Sequence, residues 1–416
     1  MVVLRACART SMARMEARPR AGAVCYKSAR CECAGCEAQP QLVPARFAQM
    51  VFASLALALL GYQLPAPRRH AASSRTRSLF ASLDADGSEV MPSAPALSLL
   101  SPAKVNLFLR ILRRREDGYH ELASLFQAVS LFDRLDFWER PGAAGPSMEV
   151  TDDSVCAALI PTDERNLVMR ALQIFAERSG DARPIHCRLH KVIPAQAGMG
   201  GGSGDAATAL HAANRLCGFP VSQETLIEWG AELGSDIGFF LSRGTAFCTG
   251  RGELIEPLDP LPPAPVYLVK PAEGLSTPGV FKALGLSPNE ELPGASPQAL
   301  LDEFAENVYT ATFVNDLEPP AEKVLPMLAD LRTELSTLGF RAVMLSGSGT
   351  TIFCVGTPRG DVVDTWQDAI RAKFDVEVYE EMFCRRLPDE RLWYAEQPEG
   401  AKLVDLDDSL SSSQAL

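Results

Sequence analysis

Acidic residues are scarce at the start of this chain: the first 83 residues hold only Glu16, Glu32 and Glu37 among many arginines. The chain as a whole lacks the opposite charge. Its 40 Lys and Arg stand against 52 Asp and Glu, a net charge of −12. Non-specific nucleic-acid binding needs a basic face that neutralises phosphates, so the balance argues against a nucleic-acid partner. Paired cysteines are also missing. Five of the 11 crowd the first 36 residues, and Cys156, Cys187, Cys217, Cys248, Cys354 and Cys384 are scattered. That spacing predicts free thiols in a reducing compartment. Cys31, Cys33 and Cys36 lack the second ligand pair of a zinc ribbon, so no metal is expected there. Histidines number five. His186 and His190 alternate with Arg188 on one strand face, but no third ligand stands at a useful spacing, which predicts a solvated face and no metal site. Apolar residues are plentiful at 47%, enough for two domains with cores.

Arginine-rich, serine-containing, acid-poor N-terminal sequence is the composition of an organelle transit peptide. It predicts a targeting leader and linker over residues 1–97, with plastid delivery as the destination. Within it, Phe47 to Leu64 is an apolar run followed by PAPRRHAASSRTRS, the order of a bipartite presequence. The run is near the minimum length for spanning a bilayer. Gln49, Gly61 and Gln63 interrupt it, so no stable membrane anchor is expected in the mature chain.

Residues 194–204, PAQAGMGGGSG, hold five glycines and then pass into the helical spacing of Ala206, Ala209, Leu210, Ala213 and Leu216. A glycine loop opening a helix turns free N–H groups toward one point, where the helix dipole favours an anion. This predicts a phosphate cradle. No lysine follows Gly204, which excludes a Walker A loop, and a G-x-G-x-x-G register from Gly198 ends on Ser203. Upstream, AKVNLFLRIL alternates as a strand, with Val105, Leu107, Leu109 and Ile111 on one face and Lys104, Asn106 and Phe108 on the other. Asp117-Gly118 signals a hairpin turn, and the arginines at 113–115 read as a solvated strand end. Asn166 suits the N-cap of a helix over NLVMRALQIFAER. Asp236, in GSDIGFFL, has the setting of an ordinary helix cap.

The form P-x-x-x-G-x-G-G-G-S-x-D-A-A resembles the nucleotide loop of the GHMP kinase superfamily. SPAKVNLFLRILRRREDGYHELASLFQ at 101–127, LGSDIGFFLSRGTAFCTGRGE at 233–253 and LSGSGTTIFCV at 345–355 narrow the likeness to the 4-diphosphocytidyl-2-C-methyl-D-erythritol kinase family of the non-mevalonate isoprenoid pathway. The resemblance covers about residues 98–390. It implies an α+β, two-domain fold with the active-site cleft between an N-terminal ATP-binding domain (98–260) and a ferredoxin-like C-terminal domain (261–390). Residues 391–416, rich in acids and serine, are expected to form a disordered tail.

By the same resemblance, Asp236 is the general base and Lys104 the active-site lysine that stabilises the transferring phosphoryl group. ATP is expected on Pro194, Ala195, Gln196, Ala197, Gly198, Met199, Gly200, Gly201, Gly202, Ser203 and Gly204, with its phosphates at a helix starting near Ser203 and Mg²⁺ as the cation. The family usually has two successive serines where this chain has Ser203-Gly204, so a hydroxyl contact to phosphate or to the metal shell is expected to be missing. Metal ligands are not assigned. The cytidine end of the substrate is expected at Asn106, Tyr119 and His120, closed by Thr277 and Phe281 of STPGVFKAL. Rival readings are another kinase of the superfamily, such as homoserine kinase, and a nucleotide-binding regulator that has lost catalysis.

Overall fold

The computed structural model describes residues 94–360 and 365–395. Residues 1–93 of the expected leader, with its apolar run and cysteine cluster, and the chain beyond 395 lie outside the described residues, whereas Leu97, the last residue of that expected leader, already opens the first strand.

Two long strands, β1 (Leu97–Arg114) and β2 (His120–Glu139), form an antiparallel hairpin. Its turn follows the sequence signal: Gly118 takes φ +87, and the Asp117 carboxylate accepts from the Tyr119 N–H at 3.1 Å. The chain continues through β3 (Ser147–Val150), α1 (Leu167–Arg178), β4 (Ile185–His190), α2 (Gly201–Leu216), α3 (Gln223–Leu233), α4 (Ile237–Leu241), β5 (Thr245–Gly250) and β6 (Leu254–Pro257). Next come β7 (Pro265–Pro271), α5 (Thr277–Leu284), α6 (Pro297–Glu306), β8 (Val314–Asn315), α7 (Glu318–Val324), α8 (Met327–Thr337), β9 (Ala342–Leu345), β10 (Ile352–Val355), α9 (Trp366–Lys373) and β11 (Val376–Met382).

The first sheet has the order β3-β4-β2-β1-β8. The first half of β2 pairs with β5, which pairs in turn with β6. The second sheet has the order β11-β7-β10-β9, antiparallel throughout. Read along the chain, β7, the α7–α8 pair, β9, β10, α9 and β11 make the βαββαβ ferredoxin-like pattern.

Small side chains let α2 sink into the molecule. Ala206, Ala207, Ala209, Ala212 and Ala213 are fully buried, and α2 packs on α1, β1 and α4. Asn166 caps α1 by accepting from the Val168 N–H at 2.9 Å, as its position suggests.

Several expectations change in the fold. The β1 alternation breaks at a bulge between Asn106 and Phe108, so fully buried Phe108 joins the same core as Val105 and Leu107. His186 is not on a solvated face. It is 7% exposed, beside Trp138, with its Nδ1 at 2.9 Å from the Ser147 hydroxyl. The helical run VLPMLADLRTEL is split at Pro326, which has no N–H to continue a helix, so α7 ends and α8 begins around it. The tail expected from 391 does not hold for its first residues: Trp393 and Tyr394 are buried in the first-sheet core. A division at 261 is also crossed by returning chain, because β8 pairs with β1 and Phe383 bridges to Val129.

Candidate active site

The strand β1 carries Lys104 and Asn106 into the interior, where both are almost fully buried. Lys104 Nζ donates to Asn106 Oδ1 at 2.8 Å. The Asn106 amide donates to Ser124 Oγ at 2.9 Å, and that hydroxyl donates to the Phe108 carbonyl at 2.6 Å. Nζ also stands 4.4 Å from the centre of the Phe126 ring. A buried ammonium needs such partners, and together they fix its direction. It points at Asp236, whose Oδ2 lies 3.4 Å away. Asp236 occupies the N-cap position of α4 but makes no side-chain cap hydrogen bond. Its carboxylate is 31% exposed, so it is open to a reactant. The ordinary cap explanation therefore does not account for this aspartate.

The glycine loop arrives from the other side. Gly200 takes φ +69 as the N-cap of α2, and a Cβ there would stand 3.1 Å from Lys104 Cγ and 2.9 Å from the Phe240 ring. The helix starts at Gly201, two residues earlier than expected, because glycine supplies the left-handed cap. The opening N–H groups of the helix have no preceding helical carbonyl to meet, which leaves them for an anion. Within the loop, Ala197 and Met199 are buried anchors, while Ala195, Gln196 and Gly202 are exposed. Pro194, Gly198, Gly200, Gly201 and Ser203 are half-buried.

Gly204 departs from its expected role. It is buried, its N–H donates to the Gly200 carbonyl at 2.9 Å, and a Cβ there would come within 2.8 Å of Ser101 Oγ and 2.9 Å of the Pro102 carbonyl. Position 204 faces β1 and not the mouth of the loop, so its missing hydroxyl is not missing from the phosphate side.

A second glycine turn, Gly347-Ser348-Gly349 within LSGSGTTIFCV, closes the centre. A Cβ on Gly347 would stand 3.0 Å from Asn106 Oδ1 and 3.8 Å from Lys104 Nζ. Gly349 lies so close to Ala197 and Gly198 that a Cβ on it would collide with their backbone. Ser346 Oγ donates to the Gly198 carbonyl at 2.9 Å, and the Thr351 N–H to the Ala197 carbonyl at 3.2 Å. The expected loop at 194–204 and the motif at 347–349 are thus one interlocked structure.

A cavity of about 560 Å³ opens beside this centre. Tyr119, His120, Thr277 and Phe281 line it together, as expected, with Ser235 next to Asp236. His120 and Phe281 have ring centres 4.7 Å apart, and Thr277 Oγ1 lies 2.8 Å from Ser348 Oγ. Burial and the nearby Arg114 lower the His120 pKa, so its imidazole is neutral at pH 7, and its buried Nε2 has no hydrogen-bond partner among the described residues. Asn106 is not part of this group. Its partner across the hairpin is Phe126, whereas His120 faces Arg114, eight residues further along β1. Asn106 belongs to the lysine end. Arg114 is not a solvated strand end either, since it lines the cavity.

Sequence reasoning missed a second buried ion network. Lys191 Nζ is paired with Asp133 and lies 2.9 Å from Asp205 Oδ2, while Asp133 Oδ1 accepts from the Val192 and Ile193 N–H groups at 2.5 and 2.8 Å. Burial pushes the Asp205 carboxyl up to about 7, against the pull of Lys191 and aided by Asp133. The network ties β2, the entry to the glycine loop and the first turn of α2 together. Its only sequence signal is three charged residues 72 positions apart at their widest (205 − 133), which no local spacing reveals. Among the described residues, no cluster of three or more His, Cys, Asp or Glu could hold a metal, and no helix is long and apolar enough to cross a membrane.

Residues 166–244 match the GHMP kinases N terminal domain, and residues 295–375 the GHMP kinases C terminal domain. Fold and site together define a GHMP kinase, an ATP-dependent small-molecule phosphotransferase. Relatives narrow the class. A 4-diphosphocytidyl-2-C-methyl-D-erythritol kinase of Protochlamydia amoebophila is 43% identical over 272 residues, 64% of this chain and 87% of the relative. The chloroplastic enzyme of that name from Oryza sativa is 41% identical over 322 residues, 75% of this chain and 76% of the relative. The crystal structure of a 4-(cytidine 5'-diphospho)-2C-methyl-D-erythritol kinase superposes with a TM-score of 0.56 at 34% identity, covering 69% of this chain and 98% of its own. The chain belongs to the 4-diphosphocytidyl-2-C-methyl-D-erythritol kinase family.

Proposed function

We propose that the chain transfers the γ-phosphoryl group of ATP to the 2-hydroxyl of 4-diphosphocytidyl-2-C-methyl-D-erythritol, giving the 2-phosphate and ADP. The observation that carries this reading is the Lys104–Asp236 pair at 3.4 Å, set between two interlocked glycine loops and an aromatic cavity. ATP lies with its phosphates at the first turn of α2, where Gly201, Gly202 and Ser203 supply N–H groups and the helix dipole favours the anion. The cytosine ring goes to Tyr119, His120 and Phe281. Neutral His120, with Nε2 unpartnered, suits an uncharged ring edge and would cost binding if it were charged.

Between the two ends, Asp236 accepts the proton of the attacking hydroxyl as its oxygen bonds to the γ-phosphorus. The bond from that phosphorus to the β–γ bridging oxygen breaks, and ADP leaves with the electron pair. Lys104, held by Asn106, meets the negative charge on the transferring group. Position matters more than basicity here, because a well-oriented hydroxyl gains most of its advantage from proximity. Ser203 at the loop and the part-exposed Asp236 at the start of α4 offer the oxygen ligands that suit a Mg²⁺ ion, which would be held mainly by ATP phosphates and water and would neutralise phosphate charge.

The acid-poor, arginine-rich leader and the chloroplastic plant relative support plastid localisation. A fluorescent fusion of residues 1–97 that stays cytosolic would refute it.

The direct test is mass spectrometry of the product formed from ATP and the cytidyl substrate. Turnover on homoserine alone would sink the reading. Asp236→Asn should lower kcat by at least about 10²-fold while the Kd for ATP changes less than about twofold. An unchanged kcat would remove Asp236 as the base.

A further inference from the structure

The aromatic cavity carries more positive charge than an uncharged ring requires. Arg114, Arg251 and Lys282 line it, and none of its lining residues is an Asp or Glu. Of the three cations, Arg251 has the most telling place. It follows Gly250 (φ +72) at the end of β5, and its guanidinium carbon stands 4.9 Å from the centre of the Tyr119 ring. The next residue, Gly252 (φ +109), lies so close to the reacting end that a Cβ on it would be 3.7 Å from Asp236 Oδ1. Arg251 therefore spans from the ring-holding residue to the immediate neighbour of the proposed base.

Its attachment leaves the side chain available. Glu253 accepts the Arg251 backbone N–H at 2.5 Å and Nε at 3.3 Å. Among the described residues, the two terminal guanidinium nitrogens donate to no protein acceptor, and the side chain is 38% exposed. A planar fork with free terminal donors is suited to bidentate binding of phosphate oxygens.

An acceptor with a cytosine at one end and its reacting hydroxyl at the other carries its diphosphate between them. We propose that Arg251 is a substrate-binding residue that holds this diphosphate, using its terminal nitrogens while the base takes the free face of Tyr119. The assignment rests on the acceptor reading above and adds to it a residue that fixes the distance from ring to hydroxyl. It also makes the site selective for the diphosphate over the bare nucleoside.

Calorimetry on the full chain tests this with cytidine and cytidine 5'-diphosphate as probes, at one ionic strength, for the wild type, Arg251→Gln and Arg251→Lys. The expected result is a diphosphate preference, the ratio of the cytidine Kd to the diphosphate Kd, that falls about tenfold in Arg251→Gln. The cytidine Kd should stay within about twofold, and Arg251→Lys should recover part of the preference. In turnover, the acceptor KM should rise in Arg251→Gln while the ATP KM holds. An unchanged preference, including the case in which both ligands weaken equally, would overturn the assignment and leave Arg251 a structural partner of Tyr119. Failure of both probes to bind the wild type would overturn the acceptor reading, and the proposal with it.

Discussion

At the scale of single residues, the site is a set of polar groups whose partners restrict what each can do. Lys104 is buried yet has Asn106 and Asp236 within reach, so its position is fixed before any ligand arrives. Lys104→Met keeps the length of the side chain and removes the charge. It should lower kcat by at least about tenfold, since a charged hydrogen bond is worth about 1.5–3 kcal/mol, with the fold intact by circular dichroism. A kcat equal to wild type would show that the ammonium does not meet the transferring charge. Gly204 makes the opposite case. Because position 204 faces Ser101 and Pro102, where an added Cβ would crowd the Pro102 carbonyl at 2.9 Å, Gly204→Ser should lower the melting temperature and should not lower the KM for ATP. A tenfold drop in that KM would mean that the added hydroxyl reaches phosphate after all.

Elements matter here through what they bring together. The loop before α2 and the turn between β9 and β10 pack so closely that Gly198 and Gly349, where they meet, have no room for a side chain. Gly349→Ala would drive a methyl group into the backbone of Ala197 and Gly198. The two loops would have to separate, at a cost of about 1–3 kcal/mol for overpacking, and the ATP KM should rise as the cradle opens. A variant with native melting temperature and native ATP KM would show that the interlock is not needed. Much of this site was legible in the sequence because its motifs are local. The glycine loop, the Asp-Gly turn, the Asn166 cap and the strand carrying Lys104 all depend on neighbours within a few residues. What sequence did not disclose depends on pairing between distant segments. The bulge that moves Phe108 into the core arises from the register of β1 on β2. The Lys191–Asp133–Asp205 network and the cation above Tyr119 exist only once β2, β4, β5 and the hairpin turn have met. Family likeness groups Asn106 with Tyr119 and His120, whereas strand register puts it at the lysine.

For the whole molecule, the end of the described chain returns to the start of the fold. After β11 the chain crosses back to the first-sheet core, where Trp393 stacks on His211 at 4.5 Å between ring centres, and the Arg386 guanidinium lies 4.9 Å from the Trp393 ring. Arg386 also donates to the carbonyls of Leu241 and Leu392, which holds the returning segment against α4. Trp393→Ala should therefore cost about 3–5 kcal/mol, as for a large buried aromatic, although the residue is far from the reacting groups. Burial, with Arg386 and Arg215 nearby, lowers the His211 pKa well below its ordinary value, so the ring is buried neutral. The sign of the linkage follows. As pH falls below about 6.5, the unfolded chain takes up a proton at this histidine that the folded chain refuses. The stability from this group is thus fully present above that pH and is lost as pH falls toward the folded pKa. Asp205, raised to about 7, acts in the opposite direction, so the total pH profile alone does not isolate His211. The comparison that does is urea denaturation of the wild type and His211→Gln at pH 7.5 and pH 5.5. The wild type should lose more stability than the variant between these two conditions, because glutamine has no proton to gain. An equal loss in both proteins would show that His211 does not contribute to the acid sensitivity of the packed C-terminal segment.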